Sequence, residues 1–175
     1  MRKVVLIGSG GSGKSTLATA LGEKTGFPVY HLDKLFWKPN WQESSKDEFR
    51  QKLAEIYPLD AWIMDGNFGG TMAERLIQAD TIIFLDVSTF VCIISVLKRF
   101  LTYRRTNRPD MTEGNNERLD IDFLSWIIHY RRRSRPKVLA MIKEIGKDKN
   151  IVILKSRSQM KEYLDCVDEG QLTCG

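Results

Sequence analysis

Short apolar runs alternate with amphipathic stretches along the chain. Val4, Val5, Leu6 and Ile7 have no polar face and are rich in β-branched residues, which predicts a central strand buried on both sides. Gly8 ends it. A helix is expected from about Gly13 to Lys24, with Leu17, Ala18, Ala20 and Leu21 turned inward and Gly26 at its C-terminal stop. Phe27 to Leu32 reads as a second strand, with Asp33 at its C-terminal end. Ser45 and Glu48 spell a capping box. The helix they open carries Phe49, Leu53, Ile56 and Tyr57 at helical spacing, and Pro58 ends it.

Trp62 to Met64 is the third strand, followed by Asp65, Gly66 and Asn67. Thr71 and Glu74 form a second capping box for a short helix to about Gln78. Thr81 to Leu85 is the fourth strand, closed by Asp86, and a helix follows from Ser88 or Thr89 to about Leu101. Thr102 to Arg118 is polar and turn-prone. Asp120 is placed to cap a helix bearing Phe123, Leu124, Trp126, Ile127 and Tyr130. Pro136 then forces a kink or a fresh start in a helix running to Gly146. Ile151 to Leu154 is the fifth strand, and Ser158 caps a last helix. This alternation predicts a three-layer α/β fold: a five-stranded parallel sheet with helices on both faces, in one domain over residues 1–175. The strand ending at Leu32 is expected beside the one that opens the chain.

The chemistry starts where the first strand ends. Gly8, Gly13, Lys14 and Ser15 fall in the spacing G-x-x-x-x-G-K-S between a strand and a helix, which is a phosphate-binding P-loop. A loop that wraps a triphosphate turns its N–H groups inward, and glycine supplies the dihedrals and the room. Gly8, Ser9, Gly10, Gly11, Ser12, Gly13, Lys14, Ser15 and Thr16 are therefore the candidate nucleotide-binding residues. Lys14 places a charge on the β- and γ-phosphates, and the Ser15 hydroxyl is a Mg2+ ligand. The following helix adds N–H donors and its positive dipole end. ATP and Mg2+ are the expected cofactors. Gly8, Gly10 and Gly13 also spell G-x-G-x-x-G, and Asp33 lies 20 residues beyond Gly13, where a dinucleotide-binding acid would sit. Lys14-Ser15 decides against that reading, because a dinucleotide helix packs tightly after its third glycine and has no use for lysine there.

Bulk properties narrow the setting. The chain has 175 residues, 42% of them hydrophobic, which suits a globular domain with a sizeable core. Met1-Arg2-Lys3 leads straight into the first strand, so no signal peptide is expected. The most apolar stretch, Thr81 to Leu97, is too short and too interrupted to span a bilayer. Cys92, Cys166 and Cys174 show no metal spacing, and a reducing cytoplasm is the simple reading. The net charge is +5, and the segment Lys98 to Lys137 alone holds eleven Lys/Arg against five acids. That local excess suggests an anionic partner: nucleotide phosphates, or weak, salt-sensitive binding to nucleic acid.

If the strand order is as expected, several residues converge at the C-terminal ends of the strands. Asp65 or Asp33 can serve the metal that P-loop enzymes require. Each has a plainer alternative: Asp65-Gly66 as a turn, Asp33 as a helix N-cap. The arginine runs can be a solvated helix face, and Phe36, Trp37 and Trp41 can be core.

These segments resemble P-loop small-molecule kinases of the adenylate kinase and shikimate kinase group. WIMDGNFGGT is similar to that group's segment where an acid meets Mg2+, which implies Asp65 as a metal ligand with Ser15. DTIIFLDVS and the helix ending in Lys98-Arg99 resemble the approach to its phosphate-covering lid. More narrowly, GSGGSGKSTLA, PVYHLDKLFWKPNW, WIMDGNFGGT, RPDM and RSRPK together resemble the bacterial family of DNA topology modulation proteins, of the FlaR-related type. The resemblance implies a P-loop NTPase fold with an acceptor-side insert at about 33–60 and an arginine-bearing lid at about 102–118. Nucleoside monophosphate kinases carry a Thr-Gly segment and a phosphate-gripping Arg after the second strand. Here His31-Leu32-Asp33-Lys34 stands instead, which looks like kinases whose acceptor is a hydroxyl.

The expectation is thus a phosphotransferase moving the γ-phosphate of ATP to a small hydroxyl-bearing acceptor. Lys14, Asp33, Arg99, Arg132 and Arg135 are the candidate catalytic residues, with Arg104 or Arg105 from the lid, and Trp37 or Trp41 is a candidate platform for the acceptor. The alternatives are a nucleotide-regulated DNA-binding protein and a nucleotide-binding scaffold without turnover. No helix-turn-helix, zinc or RNP-like motif supports the former.

Overall fold

The apolar run near the chain start becomes β1 (Lys3–Gly8), and Val4 to Ile7 have no exposed surface. The computed structural model describes residues 1–104, 106, 109–116 and 120–168. In chain order β1 is followed by α1 (Lys14–Thr25), β2 (Val29–His31), α2 (Leu32–Phe36), β3 (Trp37–Lys38), β4 (Gln42–Glu43), α3 (Lys46–Ile56) and β5 (Trp62–Asp65). Then come α4 (Gly69–Gln78), β6 (Thr81–Leu85), α5 (Thr89–Tyr103), α6 (Ile121–Arg133), α7 (Arg135–Ile145), β7 (Asn150–Leu154) and α8 (Arg157–Asp168).

Five strands form one parallel sheet in the order β2-β5-β1-β6-β7. β1 is its centre. Val4 pairs with Ile63 of β5 on one side and with Thr81 of β6 on the other. β5 and β6 are buried throughout, as a central parallel strand must be. One face is covered by α1, α5, α6 and α8 through Leu17, Leu21, Cys92, Val96, Ile127 and Tyr163. The other is covered by α3, α4 and α7 through Phe49, Leu53, Met72, Leu76, Val138 and Ile142. No helix among the described residues is long and apolar enough to cross a membrane.

The structure departs from the sequence reading in four places. β2 is an edge strand and pairs with β5, so it does not neighbour β1. It also stops at His31: α2 begins at Leu32, and Asp33 lies in its first turn, not at its N-cap. The segment after α2 folds into a small antiparallel hairpin, β3 with β4, whose turn holds Asn40 and Trp41 in the left-handed region, φ 60° and 58°. α4 starts at Gly69 without a side-chain cap, so Thr71 is inside it. At α8 the capping hydroxyl is Ser156, which accepts from the Gln159 N–H at 3.2 Å, while Ser158 donates to Glu162. Ser45, Ser88 and Asp120 do cap their helices. Pro136 marks a fresh start, since α6 ends at Arg133 and α7 begins at Arg135.

Part of the 102–118 segment, with Arg105, Arg108 and Arg118, lies outside the described residues, as does Cys174. The described part docks on the β3–β4 hairpin. Thr112 Oγ1 donates to the Trp37 carbonyl at 2.6 Å, Asn115 Nδ2 donates to the Lys38 carbonyl at 3.0 Å, and Asn115 Oδ1 accepts from the Trp41 N–H at 2.7 Å. Met111 and Asn115 are buried there.

Candidate active site

The loop from Gly8 to Gly13 sits between β1 and α1 at the C-terminal edge of the sheet. Three glycines are required by close approach, Gly8 among them, where a Cβ would lie 2.6 Å from the Leu85 carbonyl. A Cβ at Gly11, where φ is 73°, would lie 2.4 Å from the Cys92 carbonyl of α5, and one at Gly10 would lie 2.5 Å from the Phe123 ring of α6. The loop is therefore seated against both helices that follow β6. Ser9 and Ser12 are buried, and the Ser12 hydroxyl has no hydrogen-bond partner among the described residues. Thr16 is exposed on α1.

Lys14 folds back over the loop, donating to the Gly8 carbonyl at 3.1 Å and the Ser9 carbonyl at 2.9 Å. Burial pushes its ammonium below the ordinary lysine pKa. Asp65 and Asp33 pull it back up, and Arg99 adds to the lowering. Lys14, Asp65, Asp33 and Arg99 thus share one electrostatic neighbourhood, though β2 stands one strand away from β1.

Asp65 ends β5 and is buried. Its Oδ2 accepts from Ser15 Oγ at 2.8 Å, and its Oδ1 accepts from His31 Nδ1 at the end of β2. Burial opposes a charge on His31, but the hydrogen bond and charge of Asp65 outweigh it and raise the His31 pKa. Both carboxylate oxygens are thereby fixed in direction. The Asp65-Gly66 pair is the end of a strand that leads into a distorted loop.

That loop is held by a residue the sequence reading passed over. Arg75 of α4 is fully buried; it donates to the carbonyls of Gly66 at 3.0 Å, Phe68 at 3.2 Å and Asn67, and to Thr71 Oγ1 at 3.4 Å. Burial brings its pKa down to about 10. The Asn67 side chain in turn holds the backbone of Gly8.

The arginines divide. Arg99 of α5 stands over the Phe123 ring, its Cζ 5.8 Å from the centroid, beside the loop. Arg135 is engaged bidentately by Asp86, which follows β6: Nε donates to Oδ1 at 2.8 Å and an Nη to Oδ2 at 2.7 Å. Those hydrogen bonds hold the Asp86 carboxyl below the usual range, with Arg131 and Lys155 acting the same way. Arg132 is exposed on α6, and Arg104 caps the C-terminus of α5. Trp37 and Trp41 meet edge to face, centroids 5.5 Å apart, under the docked 111–115 segment.

The donors suit a magnesium nucleotide. The Ser15 hydroxyl and the Asp65 carboxylate are adjacent hard oxygens. Among the described residues no three His, Cys, Asp or Glu gather into a metal cage. Mg2+ needs none, because it takes one or two protein oxygens and completes its shell with phosphate and water. The buried Ser12 hydroxyl and the Lys14 ammonium, resting on carbonyls it can leave, fit an anion in the loop.

No protein-family model matches the chain, and no curated protein matches it. Solved structures do. Shikimate kinase from Acinetobacter baumannii in complex with shikimate superposes at a TM-score of 0.56 and 15% identity, covering 99% of this chain and 96% of its own. Deoxyadenosine kinase from M. mycoides with bound dATP gives 0.54 and 14%, covering 97% and 98%. Shikimate kinase from Bacteroides thetaiotaomicron gives 0.50 and 17%, covering 95% of each chain. The chain has the α/β fold of these P-loop kinases. The narrower resemblance to DNA topology modulation proteins gains no support from the comparisons.

Proposed function

We propose that this protein is an ATP-dependent phosphotransferase acting on a small hydroxyl-bearing acceptor. The observation that carries this reading is the hydrogen bond from Ser15 Oγ to Asp65 Oδ2 at 2.8 Å, with Lys14 in the same loop. Lys14 would exchange the Gly8 and Ser9 carbonyls for the β- and γ-phosphates. Ser15 and Asp65 would hold Mg2+, with His31 keeping the carboxylate aimed. The chemistry Mg2+ would supply there is neutralisation of the charge that develops on the transferred phosphate.

Asp33 would act as general base. It accepts the acceptor's hydroxyl proton as the new O–P bond forms and the bond from the γ-phosphorus to the bridging oxygen breaks, releasing ADP. Arg99, next to the loop, would stabilise the transferred group. Arg132 and Arg135 remain candidates for the same task, although Arg135 has to give up Asp86 to perform it. The rival reading, duplex binding switched by nucleotide, rests on the local basic excess, which Asp86 partly neutralises within the fold.

The test is ADP release from Mg-ATP across a panel of hydroxyl compounds, with Asp33→Asn and Lys14→Ala as comparisons. Asp33→Asn should keep ATP affinity and lose about 10²-fold or more in transfer, the usual size of general base catalysis. Lys14→Ala should lose nucleotide binding or turnover while staying folded. A fully active Asp33→Asn protein, or a nucleoside monophosphate as the best acceptor, would overturn the proposal.

A further inference from the structure

Between α3 and the start of α4 lies a cleft of about 380 Å³, lined by Phe36, Phe49, Phe68, Lys46, Arg50 and the Gly69-Gly70 backbone. Its size is that of a small-ligand site. Two of its lining residues follow the carboxylates in the chain: Phe36 lies one turn beyond Asp33 on α2, and Phe68 lies three residues beyond Asp65.

Three rings form the apolar wall. Phe36 meets Phe49 edge to face at 5.4 Å, and Phe68 lies 5.0 Å from each of them. Together they present edges and faces to one space, a surface that suits a planar ring more than a polyol. The rim is cationic, and its charge can be counted. Lys46 and Arg50 are positive, while Glu74 lies 3.4 Å from Arg50 and offsets one of them. The balance is one positive charge, which matches a carboxylate and falls short of a phosphate monoester, with nearly two negative charges at neutral pH.

The remaining wall is Thr71 and the backbone of Gly69 and Gly70. Neither Gly69 nor Gly70 has a positive φ, and a Cβ built on either meets nothing within 4 Å. Both sit in the first turn of a helix, where glycine costs stability relative to alanine. Packing and backbone geometry therefore leave these two positions free for other residues. Both are exposed and line the cleft.

We propose that this cleft binds the acceptor, and that the acceptor is a hydroxyl-bearing aromatic carboxylate whose ring packs on Phe36, Phe49 and Phe68 and whose carboxylate faces Lys46 and Arg50. The inference rests on the phosphotransferase reading for the hydroxyl, but the ring and the charge follow from the cleft itself.

The experiment is calorimetric titration of the full-length protein, with and without ATP, using 4-(hydroxymethyl)benzoate, benzyl alcohol and a nucleoside monophosphate. The carboxylate should bind at least roughly tenfold more tightly than the neutral alcohol, the ratio worth about one charged contact. Lys46→Ala should remove most of that preference without changing benzyl alcohol binding. Gly70→Leu should fill the cleft and abolish binding of both aromatic probes, while ATP affinity stays at its wild-type value and the melting temperature does not fall. Equal affinities for alcohol and carboxylate, tighter binding of the nucleoside monophosphate, or unchanged aromatic binding in Gly70→Leu would overturn the proposal. Binding with the expected pattern but no transfer from ATP would leave the cleft assignment standing and sink the phosphotransferase reading. Transfer to other acceptors that Gly70→Leu leaves untouched would do the reverse.

Discussion

The Asn67 carboxamide exchanges two hydrogen bonds with the backbone of Gly8: Nδ2 donates to the Gly8 carbonyl at 2.7 Å, and Oδ1 accepts from the Gly8 N–H at 3.2 Å. β5 has ended by then, so this side chain stands in for the strand that Gly8 lacks on that side. The same carbonyl also accepts from Lys14. If Lys14 turned to a phosphate, Asn67 would keep the carbonyl satisfied. Asn67→Ala should therefore cost about 1–3 kcal/mol of stability, the penalty for orphaned buried polar groups. It should also weaken ATP binding, because Lys14 then leaves an unpaired oxygen behind. Thermal unfolding and ATP titration check both, and wild-type values in either would contradict this account of Gly8.

Arg75 is the second test. Its guanidinium serves the carbonyls of Gly66, Asn67 and Phe68 from a fully buried position. Lysine keeps the charge but not the planar fork. Arg75→Lys should lower stability by at least about 2 kcal/mol, since it leaves carbonyls without donors. Exposed Arg132→Ala should stay within about 0.5 kcal/mol of wild type. Urea midpoints of the two variants make the comparison, and equal midpoints would refute the role given to Arg75.

Asp86 and Arg135 predict a pH dependence. The folded-state pKa of Asp86 is depressed, chiefly by its hydrogen bonds to Arg135. A depressed carboxyl contributes stability that is complete above its unfolded value, about 3.9, and is lost as pH falls through the folded value. The stability gap between wild type and Arg135→Ala should be flat from pH 7 to about 5 and should shrink below about 4. Urea midpoints between pH 3 and 7 measure it. A gap that persists unchanged at pH 3 would mean the pair contributes nothing through ionisation.

Arg99 supplies the kinetic test. It neighbours Lys14 and stands over Phe123. A positioned arginine is worth roughly 10³ or more in phosphoryl transfer. Arg99→Met keeps an apolar stem over the ring and removes the charge, so kcat should fall by that order with ATP affinity nearly kept. A loss confined to affinity would reduce Arg99 to a binding residue.

The sequence was most informative where local patterns and chemistry coincide. Val4 to Ile7, the glycine spacing and Lys14-Ser15 announce the loop and its strand without tertiary information, and Ser45 and Asp120 announce their helices. The β3–β4 hairpin was hidden because two-residue strands carry no periodicity and its turn uses Asn40 and Trp41, not glycine, in the left-handed region. Nothing local in the sequence marks Arg75; only the path of residues 66–68 gives its guanidinium partners. Asp86 and Arg135 lie 49 positions apart, beyond the reach of any local pattern. The place of β2 beside β5 depends on which strands the crossovers skip, and no single segment encodes that.

The strand order also sets a timetable for synthesis. β1 is made first, yet its two partners are residues 62–65 and 81–85. While the chain emerges from the ribosome, the wholly apolar Val4–Ile7 segment has no ladder to join until β5 appears, and β6 completes its other side about twenty residues later. At typical elongation rates of roughly 5–20 residues per second, that leaves the segment uncovered for seconds. The loop from Gly8 to Gly13, which hangs from the end of this strand and leans on Cys92 of α5, can take shape only after that point. A nascent chain of this protein thus carries its apolar first strand unpaired well before the loop behind it can form.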